Sequence, residues 1–373
     1  MKEISLQDKA KSYSRQKHRL AITSLVLPPV ILFTFLILGL PSYFKGVALS
    51  MAPNSYVSLT IFFVFVGTAY YMVNLPLGYY SGFLLERKYN LSNQTAKDWF
   101  KREIKKMALS FFISLPIILL VYVFMRYWPP QWWLFTAISW FSISVILTKF
   151  APLLIVPLFY KYSPIKRPAL KDKLTRLALK AGFSAEGVYE INISRDTKKA
   201  NAAVMGMGKQ KRIVLCDTLL QSFSEPEIET VMAHELGHHK KQHSLKLVIF
   251  EGIFILITFF ITNILFLEFH GIFWPTLFFY DFESFVFIYA IIATLNIATQ
   301  PLYNAFSRKL EKDADQFALE ITGDKDTFIS AMKKLAGQNL ADIAPCKFYE
   351  IILYSHPPIS RRISFAESFG NKK

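Results

Sequence analysis

Six apolar runs punctuate the chain, each approaching the roughly 20 residues an α-helix needs to cross a bilayer. They cover positions 20–40, 57–80, 107–125, 132–159, 247–266 and 285–299. The fourth is interrupted by Lys149, Pro152 and Pro157, so it reads as one tilted span followed by an interfacial turn. A charged head precedes the first run and no small-residue cleavage site follows it, which reads as a retained span rather than a removable signal peptide.

Between the fourth and fifth runs the pattern changes. Positions 169–182 (ALKDKLTRLALKAG) repeat at helical spacing and end on a glycine cap. Positions 188–193 (VYEINI) and 212–216 (RIVLC) alternate and are β-branched, as strands are. Positions 198–208, from Lys198 to Gly208, form a glycine-bearing hairpin candidate. Ser224-Glu225-Pro226-Glu227 reads as a capping box, and Ile228, Val231, Met232 and Leu236 continue it as an apolar helical stripe. The expected fold is mainly α: a polytopic membrane bundle of about six spans enclosing a cavity, with a cytosolic α+β domain. Its expected parts are a membrane region 1–159 with four spans, a cytosolic segment 160–246, two further spans in 247–300 and a cytosolic segment 301–373.

Charge fixes the orientation. The 373 residues are 53% hydrophobic and carry 43 Lys and Arg against 27 Asp and Glu, a net +16. A basic excess can signal nucleic acid, but no nucleic-acid motif is present, and no nucleic-acid partner is expected. The basic residues instead alternate across the spans. Positions 1–19 hold six and 81–106 hold seven, whereas 41–56 holds Lys45 alone and 267–284 holds none. By the positive-inside rule both termini face the cytoplasm, and the bilayer is the main partner. Cys216 and Cys346 are too few and too far apart for a disulfide framework, and read as packing residues of a reducing compartment.

Chemistry concentrates in His234-Glu235-Leu236-Gly237-His238. Two histidines four apart on a helix share a face and can clamp one metal ion, here Zn2+, with Glu235 beside it as general base. A catalytic zinc needs a third protein ligand and one open position. Glu311 and Asp315, again four apart, supply it: Glu311 as ligand and Asp315 as the acceptor that fixes an imidazole tautomer. Taken alone the second pair reads as a solvated charged helix; joined to HExxH it completes a gluzincin pattern. Asn201-Ala202 is a candidate edge strand that would bind substrate backbone by strand addition. His356 and Arg362 in the tail are candidate donors to an oxyanion.

These motifs resemble the type I CAAX prenyl protease family of integral-membrane zinc endopeptidases, over most of the chain. Positions 86–95 (ERKYNLSNQT) are similar to the family's loop after a span, and Ile155-Val156-Pro157-Leu158-Phe159 to its passage into the soluble domain. The resemblance implies His234, His238 and Glu311 on zinc, Glu235 as base, Asp315 behind the ligands, Asn201-Ala202 as substrate strand, and His356 and Arg362 at the tail motif. It also implies a peptide or lipidated protein substrate cleaved near its C-terminus. Six spans depart from the seven of the eukaryotic enzymes, and no retrieval signal is evident, which points to a prokaryotic member. The alternatives are a membrane heat-shock type quality-control protease and, from another class, a metal-binding transporter marked by Lys149, Glu251 and Asn263. A catalytically dead scaffold is disfavoured by the intact motif.

Overall fold

The computed structural model describes residues 6–206, 211–273 and 278–370. Met207 and Gly208 of the hairpin candidate, and both extreme termini, lie outside them. Among the described residues, six helices have the length and apolarity to cross a membrane. These are α1 (Leu6–Ile37), α3 (Ser55–Tyr79), α5 (Ala96–Tyr127), α6 (Trp132–Leu154), α11 (His243–Phe273) and α12 (Phe282–Thr322). Between α1 and α3 lies α2 (Leu40–Met51), read from sequence as loop. It is apolar but, at 12 residues, too short to span. A π turn at Tyr80–Leu84 carries α3 into α4 (Leu85–Lys88).

The helices outrun their apolar cores. The basic head before the first span is part of α1, since lysine and arginine are good helix formers once a span nucleates the helix. The fourth run splits after Leu154, giving α6 and a short α7 (Val156–Phe159) with Pro157 in its first turn. The division at 300–301 falls inside α12, which runs unbroken through Pro301 from the membrane to the ExxxD pair. Likewise 246–247 falls inside α11. Membrane and protease parts are thus continuous through two helices.

In the membrane, Leu32, Leu59, Phe62, Tyr122, Phe282 and Val286 pack one core cluster. Trp132, Phe259, Phe266 and Phe287 pack another, where Trp132 Nε1 donates to Asn263 Oδ1 at 2.7 Å. Asn263 therefore satisfies a buried indole. Outward faces stay apolar and exposed, as Ile37, Phe112 and Leu154 illustrate, in keeping with contact to lipid.

The second part holds a four-stranded sheet of order β1-β2-β4-β3. Its strands are β1 (Tyr162–Pro164), β2 (Gly187–Ile191), β3 (Ala202–Met205) and β4 (Arg212–Cys216). β2 and β4 are parallel, while β1 on β2 and β3 on β4 are antiparallel. α8 (Pro168–Lys180), close to its expected bounds, links the antiparallel neighbours β1 and β2, with Gly182 at φ 78 beyond it. After β4 come α9 (Asp217–Ser222) and α10 (Glu225–Lys240), then α11 and α12, then α13 (Lys325–Gln338), α14 (Lys347–Leu353) and α15 (Ile359–Ser368). Leu170, Leu174, Ile213, Leu215, Ile228, Met232 and Phe328 fill the core between sheet and helices. Cys216 is buried, and burial lifts its thiol to about 12. Cys346 is exposed, so only one cysteine packs as expected.

Candidate active site

The site forms where α10 crosses α12. Ser224 caps α10, its N–H and hydroxyl both donating to Glu227 Oε2 at 2.8 and 3.0 Å. At the crossing stands Gly237. A Cβ there would lie 3.2 Å from the Ala314 backbone and 3.1 Å from Phe317 Cδ1. Only a residue without a side chain lets the histidine helix sit directly on the glutamate helix.

This approach brings His234, His238 and Glu311 together, one ligand atom of each lying within 4.8 Å of the others. His234 Nε2 is 3.3 Å from Glu311 Oε2, and His238 Nε2 is 3.3 Å from Glu311 Oε1. The two Nε2 atoms are 3.1 Å apart. Glu311 Oε2 is buried with no hydrogen-bond donor. Two imidazole nitrogens and a buried, underused carboxylate form a donor set that fits a divalent cation with one position left open.

The opposite ring nitrogens are held from behind. His234 Nδ1 lies 2.8 Å from Asp315 Oδ1 and donates to it. Asp315 also accepts from Arg362 Nε at 2.8 Å and Nη2 at 2.5 Å. Arg362 Nη2 is 3.3 Å from His234 Nδ1, but that nitrogen's proton is committed to Asp315, so this is a close contact. Arg362 is buried, forked onto Asp315 through Nε and Nη2, and also lines the catalytic cavity. Burial acts to lower the His234 pKa, yet bonds to Asp315 and Glu311 outweigh it and raise it to about 9. Protons therefore compete with metal for His234.

His238 Nδ1 meets His243 Nδ1 at 2.9 Å. His243 opens α11, two residues past α10, and is 1% exposed. His243 lies five residues past His238 across a helix break, and that offset is the signal the sequence offers for this contact. His239 turns away, onto Lys211 and Phe183.

Glu235 faces a cavity of about 320 Å3 whose wall includes Asn201, Ala202, His234, His356 and Arg362. Burial holds its carboxyl above the usual carboxylate range, against the pull of both histidines. His356 is exposed to this space, with Nε2 3.3 Å from Glu311 Oε1. The loop carrying it is pinned from α12: Arg308 Nη1 donates to the Tyr354 carbonyl at 2.7 Å and Asn304 Nδ2 to that of Ile352 at 2.6 Å. β3 is the sheet's open edge. Cys216 N donates to Asn201 O, so residues 201, 203 and 205 turn their backbone groups to β4 while Ala202 and Val204 point outward. The outward Ala202 N–H is met by Asn201 Oδ1 at 2.9 Å.

The loop read as 86–95 docks on the segment before β3. Lys198 N donates to Leu91 O at 3.0 Å, and Asn93 Nδ2 to Ser194 O at 2.6 Å. It braces the segment that leads into the strand edge.

A helical membrane bundle fused to an HExxH domain with a glutamate ligand on a following helix defines an integral-membrane metalloendopeptidase of the gluzincin type. The comparisons agree. Residues 164–369 match the model described as peptidase family M48, and residues 3–161 the one described as CAAX prenyl protease N-terminal, five membrane helices. The chain belongs to peptidase family M48, whose members carry a metal cofactor. An uncharacterized metalloprotease of Bacillus subtilis, YhfN, is 31% identical across 97% of this chain and 85% of its own length. CAAX prenyl protease 1 of Saccharomyces cerevisiae is 30% identical over 81% of this chain and 70% of its own. The crystal structure of S. mikatae Ste24p superposes with a TM-score of 0.87 at 27% identity, covering 97% of this chain and 89% of that one.

Proposed function

We propose that this chain is a zinc-dependent endopeptidase that cleaves near the C-terminus of prenylated CAAX-type or other membrane-associated proteins. The observation that carries this reading is the convergence of His234, His238 and Glu311 beside Glu235, under an open strand edge and at the end of two membrane helices. The likeness to proteins named CAAX prenyl protease 1 supports the substrate class.

His234, His238 and Glu311 would hold the metal, and the donor set suits zinc. When bound, zinc acidifies a water and polarises the scissile carbonyl. Glu235, facing the same cavity, would take a proton from the attacking water and hand it to the leaving amine. The substrate backbone pairs with the outward groups of Ala202 and Val204, with Asn201 beside them. His356 stands where it can donate to the developing oxyanion. Arg362 acts through Asp315, which fixes His234 with Nε2 free. The catalytic face and both termini lie on the cytoplasmic side.

Glu235→Gln keeps the shape and removes the base. Peptide hydrolysis should fall to background while metal analysis of the purified variant shows zinc retained. Zinc lost from the variant, or hydrolysis kept, would falsify this assignment.

A further inference from the structure

A second cavity, of about 560 Å3, shares Asn339, Ala341, Tyr354 and His356 with the catalytic one. Its wall carries Lys17 from α1 and Lys199, two residues before Asn201. Both ammonium groups converge on one carboxylate: Lys17 Nζ is 2.8 Å from Glu86 Oε1, and Lys199 Nζ is 2.8 Å from Glu86 Oε2. Tyr13 completes the cluster, its hydroxyl donating to Glu86 Oε1 at 2.6 Å and accepting from Lys199 Nζ at 2.9 Å. Glu86 is buried, whereas the lysine side chains stay 37% and 33% exposed.

Two cations share one anion, so the cluster keeps a net positive charge facing the cavity. Of the neighbouring ionisable groups, His18 Nε2 is occupied by the Tyr354 hydroxyl at 2.8 Å, and Asp342 lines the catalytic cavity rather than this one. Burial holds Lys199 below the ordinary lysine value, and Lys17 adds to this while Glu86 opposes it. A second anion would favour the charged form of Lys199.

The position relative to the strand edge says which anion. Lys199 precedes Asn201 by two residues, roughly 7 Å of extended backbone. A peptide added antiparallel to β3 lays its C-terminal end over the strand's N-terminal end, towards Lys199. We propose that Lys17 and Lys199 form a subsite for the free α-carboxylate of a peptide seated in the catalytic cavity. The subsite rests on the peptidase reading above. Glu86 and Tyr13 hold the two ammonium groups apart in a fixed fork.

The test uses the full chain in detergent with two peptides, identical except that one ends in a carboxylate and the other in a carboxamide. Wild type should cleave the acid with at least about tenfold higher kcat/KM, mostly through KM. Lys17→Met with Lys199→Met should bring the ratio near one while amide cleavage persists, which itself reports an intact fold and metal site. Equal cleavage of both peptides by wild type, or an undiminished ratio in the double variant, overturns the proposal. Anionic lipid binding that depends on these lysines, with no acid preference, overturns it too and assigns them to the bilayer. If the double variant loses its cooperative melt, the single variants Lys17→Gln and Lys199→Gln decide: each should lower the acid preference, and an unchanged ratio in both overturns the subsite. If no peptide is cleaved at all, the peptidase reading fails first. Binding of the same two peptides to the zinc-loaded Glu235→Gln chain then still reads the subsite: the acid should bind tighter.

Discussion

At the residue scale the site is two shells with different tasks. Glu311 lies against the Nε2 atoms of both histidines, whereas Asp315 reaches only the far nitrogen of His234. Glu311→Ala should therefore cost far more zinc affinity than Asp315→Ala, for which a loss of about 10–100-fold is expected. Competition with a chelator dye measures both, and equal losses would place Asp315 among the ligands. HExxH and ExxxD were legible because helical periodicity alone puts i and i+4 on one face. The contacts of Arg362 with Asp315 and of His243 with His238 were not, because a side chain's partner across the fold leaves no trace in local spacing. Glu227 shows the same limit. Its capping role was read correctly, but it also accepts from Ser330 Oγ at 2.8 Å and Lys334 Nζ at 2.7 Å. Burial alone would raise its pKa, yet Lys334 and the serines lower it from 4.5 to about 2. A depressed folded-state value means the stabilisation is present above the unfolded pKa and fades as pH falls from 4.5 towards about 2. Glu227→Gln should lower stability by roughly 1–3 kcal/mol near neutral pH. In melts followed across pH, the gap to wild type should shrink on acidification; a constant gap would argue against the ion pair as its source.

At the element scale the decisive contact is α10 on α12. Gly237 reads in the sequence as one of the two free positions of HExxH, yet here it is the point of closest approach. Gly237→Ala must push against the Ala314 backbone, which cannot rotate aside. It should cost about 1–3 kcal/mol of stability and weaken zinc binding by shifting both histidines off Glu311. Unchanged zinc affinity in that variant would mean that the helices re-seat without disturbing the ligands. The edge strand tells a related story. Asn201-Ala202 was legible as a candidate strand, but the outward aim of the Ala202 and Val204 backbone groups depends on β3 being last in the order β1-β2-β4-β3. Sheet order is set by crossovers, not by the residues of the strand.

At the scale of the whole molecule, α11 and α12 run from the membrane into the catalytic domain, so the metal position is tied to the bilayer. Orientation is then testable with single cysteines in a cysteine-free background. Labels at Lys97 and Lys171 should react with an impermeant reagent only after the cytoplasmic face is opened, whereas labels at Pro53 and Phe278 should react without it. Lys97 and Pro53 reacting from the same side would overturn the charge-based orientation. The apolar runs, their charged flanks and the two i,i+4 pairs were determined by sequence alone. Each is a local property: bilayer thickness sets span length, headgroup and translocation asymmetry set the basic flanks, and helix pitch sets the ligand spacing. Tertiary structure alone decided that α12 is unbroken, that Arg362 serves Asp315, and that Lys17, Glu86 and Lys199 meet beside the catalytic cavity. Those residues lie far apart in the chain, and their energies depend on burial and partner geometry that exist only once the helices have packed.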